Sequence, residues 1–189
     1  MAHAGQSLQN PVTGEHITFL KTSAETGGEY SEIELRLAAD GAVPGTHVHP
    51  YQEERFEVVA GTMKFRLGFK KIVAGPGEVV VVPAGAVHNF ANAGDDTAQV
   101  IVRMTPALKM EELFETTVAL AKEGRVMKSG MPKPLDLAVF TERFADEARA
   151  PFPPYAVVRV LFAPLRWMAR RRGRAERSES GLRPVIQGA

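Results

Sequence analysis

Residues 41–61, GAVPGTHVHPYQEERFEVVAG, and residues 77–92, GEVVVVPAGAVHNFAN, decide how this chain is read. His47 and His49 stand two apart, so on an extended strand both imidazoles leave the same face. If the strand resumes after the Pro50–Tyr51 turn, Glu54, Phe56 and Val58 share one face while Arg55 and Glu57 point away. His88 follows an apolar run and a Pro83-Ala84-Gly85 turn that aims it back toward the interior. Three imidazoles and one carboxylate make a mixed nitrogen and oxygen donor set, suited to divalent Mn, Fe, Co, Ni, Cu or Zn. A lone buried histidine is more often a satisfied core residue than a ligand, so the weight rests on the set.

Outward from these stretches, residues 15–104 keep the same punctuation. The runs HITFLKT, YSEIELRLA, RFEVVAG, TMKFRLGF, EVVVVP and TAQVIVRM are separated by Gly, Pro, Asp and Asn. Their spacing of roughly 10–15 residues suits a sandwich or barrel and leaves no room for helical crossovers. In YSEIELRLA, Ser31, Ile33, Leu35 and Leu37 fall on one face and Glu32, Glu34 and Arg36 on the other, the mark of a strand packed on one side.

The texture changes after Pro106. KMEELFETTVALAKE (109–123) places Met110, Leu113, Phe114, Thr117, Leu120 and Ala121 on one side and predicts an amphipathic helix ended by Gly124. A second helix is predicted over 135–149 with Pro134 at its start, and the segment PFPP (151–154) ends it. Residues 155–172 form a third helical stretch, kinked or restarted at Pro164, and the remainder looks frayed or disordered. The chain thus divides into a β domain, 1–106, and a helical extension, 107–189, with a basic, partly disordered tail.

Charge follows that division. Residues 1–158 carry 15 Lys and Arg against 20 Asp and Glu, whereas residues 159–189 carry 8 Arg against 2 Glu. A basic tail on an acidic body points to a separate role for the tail. Within 155–172 the apolar side chains Val157, Leu161, Leu165 and Met168 oppose an arginine stripe. Packing of Val157, Val158, Val160, Leu161, Phe162, Leu165 and Trp167 on the barrel or a partner is the favoured reading; peripheral contact with an anionic membrane is the competing one. Nucleic acid is not an expected partner, because the tail lacks interleaved aromatics. The polar N-terminus has no signal-peptide pattern, and no apolar run approaches membrane-spanning length, so a cytoplasmic location is expected. The chain has no cysteine, which excludes a disulfide scaffold, a thiolate metal site and a cysteine nucleophile.

The two quoted stretches resemble the paired motifs of the cupin superfamily. The first runs Gly41, His47, His49, Glu54, Gly61 and the second Gly77, Pro83, Gly85, His88, Asn92, with 15 residues, 62–76, between them. The resemblance implies a jelly-roll β-barrel holding one divalent transition metal through His47, His49, Glu54 and His88. It says nothing about the helical extension. Asn92 reads as a turn-capping residue, and His3 and His16 lie outside the ligand spacing.

The resemblance leaves the chemistry open, since one fold hosts unrelated functions. An octahedral ion with four protein ligands keeps two positions for a chelating substrate or for substrate and dioxygen. The leading expectation is a dioxygenase-like oxygenase acting on a small apolar or aromatic oxygen chelate, with Glu54 doubling as general base. The alternatives are a cupin isomerase or cyclase, or a non-catalytic module that binds a small ligand or senses metal. Phe56, Val58, Met63, Phe65, Leu67 and Phe90 are candidates for the pocket lining or simply for the core. A homodimer is expected, because three amphipathic segments offer more apolar surface than one small barrel covers.

Overall fold

The computed structural model describes residues 2–39, 41–43 and 45–173. Among these residues nine strands precede four helices. The strands are β1 (Ser7–Gln9), β2 (His16–Lys21), β3 (Ser31–Leu37), β4 (Glu53–Ala60), β5 (Met63–Leu67), β6 (Lys70–Ala74), β7 (Val79–Val82), β8 (His88–Asn92) and β9 (Ala98–Thr105). They form a six-stranded antiparallel sheet in the order β1-β2-β3-β9-β4-β7 and a three-stranded sheet in the order β6-β5-β8. The chain is mainly β, with a jelly-roll barrel followed by helices, as the alternating runs imply.

Alternation along each strand fills the space between the sheets. Ile33, Leu35 and Leu37 of β3 face Val100 and Val102 of β9 and Phe56 and Val58 of β4 in one buried cluster, which Met63 and Phe65 of β5 enter from the opposite sheet. Phe56 meets Phe65 and Phe90 edge-on at 5.2 and 4.8 Å between ring centroids. These aromatics belong to the core; of the six candidate lining residues, Phe90 alone also faces the cavity described below. Two motif residues have structural duties. Gly61 sits at φ +75°, and a Cβ there would lie 2.8 Å from Ala98 Cα, so no other residue fits. Buried Asn92 accepts from the Gly94 amide and donates to the carbonyls of Leu37, Ala38 and Asp96, binding the end of β8 to the neighbouring turns.

The helices are α1 (Met110–Lys122), α2 (Pro134–Arg143), α3 (Tyr155–Leu161) and α4 (Ala163–Arg171). Met110 joins the barrel core, with Leu113 and Phe114 packed against it. Leu120, Ala121 and Val126 form a separate small cluster with Phe140. Two sequence expectations are corrected here. The second helix stops at Arg143 rather than Arg149, because Arg149 exchanges both backbone hydrogen bonds with Val48, at 2.9 Å each, and is drawn out into an extended pairing. The third stretch divides at Phe162, with Pro164 in the first turn of α4, where its missing N–H costs nothing.

Burial of the third stretch is partial. Ala169 is fully buried and Val158, Phe162 and Leu165 are half-buried, but Val157, Val160, Leu161 and Trp167 are exposed, Val160 by 72%. Split at Phe162, the segment has only one side of each short helix against the protein. The arginine stripe is partly neutralised from the body, since Arg166 and Arg170 reach Glu142 at 3.3 and 3.1 Å. Among the described residues no helix is long and apolar enough to cross a membrane. The expected disorder beyond Gly173 lies outside the described residues.

Candidate metal centre

The backbone around residues 47–49 is drawn against two neighbours. His47 pairs with His88 in an antiparallel bridge, with hydrogen bonds of 3.0 Å in both directions, while Val48 pairs with Arg149. Glu54 enters from the start of β4, opposite Val82 and Met104, and His88 opens β8. The structure therefore brings together all four residues singled out by the motifs, with one donor atom from each inside a span of 4.8 Å. His3 and His16 are not part of this group.

Three carbonyls orient the three rings alike. His47 Nδ1 lies 3.3 Å from the Gly45 oxygen, His88 Nδ1 3.0 Å from the Ala86 oxygen, and His49 Nδ1 hydrogen-bonds the Glu147 oxygen. A carbonyl only accepts, so each Nδ1 carries the proton and each Nε2 is left with a lone pair. The Nε2 atoms of His88 and His49 stand 2.9 and 3.3 Å from Glu54 Oε2, and His49 Nε2 is buried without a hydrogen-bond partner. Two lone-pair donors facing a carboxylate oxygen at these distances repel unless a cation or proton lies among them. The donor set and its orientation fit a divalent metal, with the carbonyls behind the rings setting their tautomers.

The electrostatics follow from burial and proximity. Burial, with help from His49 and His88, pushes His47 down to about 4, so it is neutral at ordinary pH. Burial also pulls on His49, but the Glu54 carboxylate beside its Nε2 and the Glu147 carbonyl at its Nδ1 outweigh it and the net shift is upward. Burial would raise Glu54, yet the two histidines beside it win and hold its carboxyl well below the usual carboxylate range. Glu54 is thus an anion at neutral pH.

The cluster opens into a cavity of about 430 Å³. On the barrel side its wall is Ile17, Ile33, Leu35, Phe90 and Val102; on the other it is Met110, Leu113, Phe114 and Val118 of α1, Leu137 and Phe140 of α2, and Val158, Leu161 and Phe162 near α3. Such a volume with apolar walls and few polar groups is that of a small-molecule site. Sequence reasoning found the ligand-type residues but missed this second wall and the Glu147 carbonyl. The apolar face of α1 was the one available signal, and nothing in the chain marked which surface it would cover.

Residues 34–103, which contain all four clustered residues, match the cupin domain family. A polyketide synthase, CurC, of Streptomyces cyaneus is 26% identical over 97 residues, which make up 51% of this chain and 63% of that protein. The matched part therefore spans less than two thirds of that relative's length. Among solved structures, KdgF from Halomonas sp. is 17% identical, covering 56% of this chain and 93% of that one, with a TM-score of 0.49. The polyketide cyclase RemF from Streptomyces resistomycificus is 20% identical, covering 56% and 78%, with a TM-score of 0.46.

Proposed function

The chain belongs to the cupin superfamily, and from that premise we propose that it is a metal-dependent enzyme that folds and cyclises a polyoxygenated, polyketide-like substrate. The observation that carries this reading is the continuity of the cavity: His47, His49 and Glu54 of the cluster line it at one end, and it extends into apolar walls large enough for a fused-ring product. Similarity to a polyketide synthase over about half of the chain supports the substrate class.

In this reading His47, His49, Glu54 and His88 hold one divalent ion, whose identity among Fe, Mn, Ni, Co, Cu and Zn is open. When bound, the ion supplies Lewis acidity to a chelating pair of substrate oxygens. The protein does the rest. Glu54, once released from the ion, would accept a proton from the methylene carbon between two carbonyls. The carbanion so formed attacks a second carbonyl carbon of the same chain, and a carbon–carbon bond replaces the C=O π bond. The proton returns to the alkoxide, and loss of water completes the ring without any oxidant. The walls from α1, α2 and α3 hold the chain folded so that attacking and attacked carbons meet, which is where most of the rate advantage of an intramolecular reaction lies.

Oxygenase chemistry is the second reading, favoured by the mixed three-histidine, one-carboxylate donor set, which also suits redox-active ions. Mass spectrometry separates the two. Metal-loaded protein incubated anaerobically with a linear aryl poly-β-ketone should give a product lighter by one water. A product that forms only under air and gains oxygen overturns cyclisation in favour of oxygenation, and no turnover of either kind reduces the protein to a binder.

A homodimer is part of the same proposal. Phe152, Val160, Leu161 and Trp167 leave an apolar strip uncovered on one copy, and a second copy would cover it. Light scattering at micromolar concentration should return twice the chain mass, whereas a monomer that floats with anionic liposomes would favour membrane contact through 155–172.

A further inference from the structure

The cavity has polar groups at two places, and only the cluster has been given a use. The other lies where the β1–β2 hairpin turns. Asn10 and Glu15 both line the cavity and are almost wholly buried, 2% and 8% exposed. Glu15 continues the inward alternation of Ile17 and Phe19, so its side chain follows theirs into the interior. The turn between them is firmly held: the Asn10 amide donates to the Glu15 carbonyl at 2.9 Å, and Asn10 Oδ1 accepts from the amides of Val12 and Thr13 at 3.0 and 3.3 Å.

That leaves two unspent atoms. Asn10 Nδ2 donates to no group among the described residues. Glu15 Oε2 takes the Thr13 hydroxyl at 2.6 Å, while Oε1 has no partner among the described residues. The other polar side chains of the wall are already committed. Thr117 donates to the Leu113 carbonyl, Thr141 to the Ala138 carbonyl, Thr46 accepts from Asn89, and Arg149 reaches the Ala145 carbonyl and Asp146. An amide N–H and a carboxyl oxygen held open on an otherwise apolar wall are placed to bind a polar atom of whatever fills the chamber.

Strand register places them far from the cluster. Glu54 lies opposite Met104, and Ile17 lies opposite Leu35, itself opposite Val100. The two levels are four residues apart along β9, ~13 Å along the sheet at ~3.3 Å per residue. Glu15 lies two residues further on in the same direction.

We propose that Asn10 and Glu15 form a distal recognition station that determines specificity, binding a hydroxyl or carbonyl oxygen at the end of the ligand remote from the cluster. The inference rests on the reading of the cavity as the site of a chelating, polyoxygenated ligand, and it narrows that ligand to an elongated one with oxygen at both ends. Asn10 Nδ2 donates to the remote oxygen; Glu15 Oε1 accepts from it when it is a hydroxyl. Burial raises the Glu15 carboxyl above its ordinary range, against the Thr13 hydrogen bond, which lowers it. Neither residue takes part in bond making.

The test uses the full-length, metal-loaded protein and hydroxyquinones of three and four fused rings. Each carries a chelating keto–hydroxyl pair at one end, with or without a hydroxyl on the ring at the other end. Calorimetry should show the remote hydroxyl tightening binding of the better-fitting skeleton about tenfold, the size of one good hydrogen bond to a buried group. Asn10→Asp keeps the oxygen that holds the turn and removes the donor; Glu15→Leu removes the carboxyl. Both should abolish the tenfold preference, read within each variant as the ratio of its affinities for the two quinones, and Glu15→Gln should retain part of it. Stripping the metal should weaken both quinones of a pair alike and preserve their ratio. If the unaltered protein binds both quinones equally, or either variant keeps the full preference, the distal station is wrong and the chelate site stands. If no quinone binds even with metal present, the reading of the cavity fails and takes the station with it.

Discussion

The two walls of the cavity are built by different means. The barrel wall presents its groups from paired backbone, with Glu54 set between Val82 and Met104 and His88 bridged to His47. A slip of one residue would turn Glu54 and Phe56 outward together, so register holds the donor atoms to within ångströms. The helical wall comes from short elements joined by turns; α3 has seven residues, none of them buried. Its contribution is apolar bulk, plus one carbonyl behind His49. Changes in the barrel wall should therefore abolish the centre, and changes in the helical wall should alter what fits.

The largest effect expected is at the centre. Glu54→Ala or His88→Ala should leave the protein without bound metal by elemental analysis. With free metal about a thousandfold above its Kd, the unaltered protein gains ~4 kcal/mol from binding, so a chelator should lower its Tm and leave that of the variants unmoved. Equal metal content in variant and parent would break the contrast at once.

Phe144 tests the helical wall's own support. It is fully buried and meets Phe140 at 4.9 Å between centroids, the rings tilted by 55°. Phe144→Ala should cost ~3–5 kcal/mol in denaturant unfolding, while metal content at saturation stays that of the parent. Metal loss in this variant would mean that the two walls are not separable.

Much of the barrel wall could be read in advance, and little of the helical one. The four ligand-type residues lie within two short stretches, where strand alternation and one turn decide which way each points. Three short strands were not among the runs marked in the sequence. Ser7–Gln9 and Lys70–Ala74 are edge strands, and Lys70–Ala74 lacks clean alternation; His88–Asn92 is polar because it carries a ligand-type histidine and a turn-binding asparagine. The end of α2 was misread for a different reason. Residues 144–149 have helical propensity, and pairing with Val48, 101 positions away in sequence, overrides it. Glu15 gave no signal, since a carboxylate at a hairpin turn is ordinarily solvated. Val160 and Trp167 are exposed on the single chain, because splitting the helix at Phe162 leaves one side uncovered, so packing on the barrel accounts for only part of the expected burial.

Smaller effects sharpen the comparison. Leu113→Glu, on the cavity face of α1, should weaken binding of an unsubstituted hydroxyquinone about tenfold or more, with metal content unchanged. Unchanged affinity would remove α1 from the wall. Val160→Ser should change the chain's own stability by less than ~0.5 kcal/mol, because the side chain is exposed. Its effect should appear instead as a shift toward monomer in light scattering.

The central claim is that the three imidazoles and Glu54 hold a metal that a ligand reaches through the helix-walled cavity. Its most direct test is the visible spectrum of the Co(II)-loaded chain titrated with a chelating hydroxyquinone. The account predicts one cobalt per chain and cobalt bands that shift to saturation at one quinone per chain, with no such shift in His88→Ala. Cobalt that fails to bind, or bands that stay fixed while the quinone binds, would contradict it.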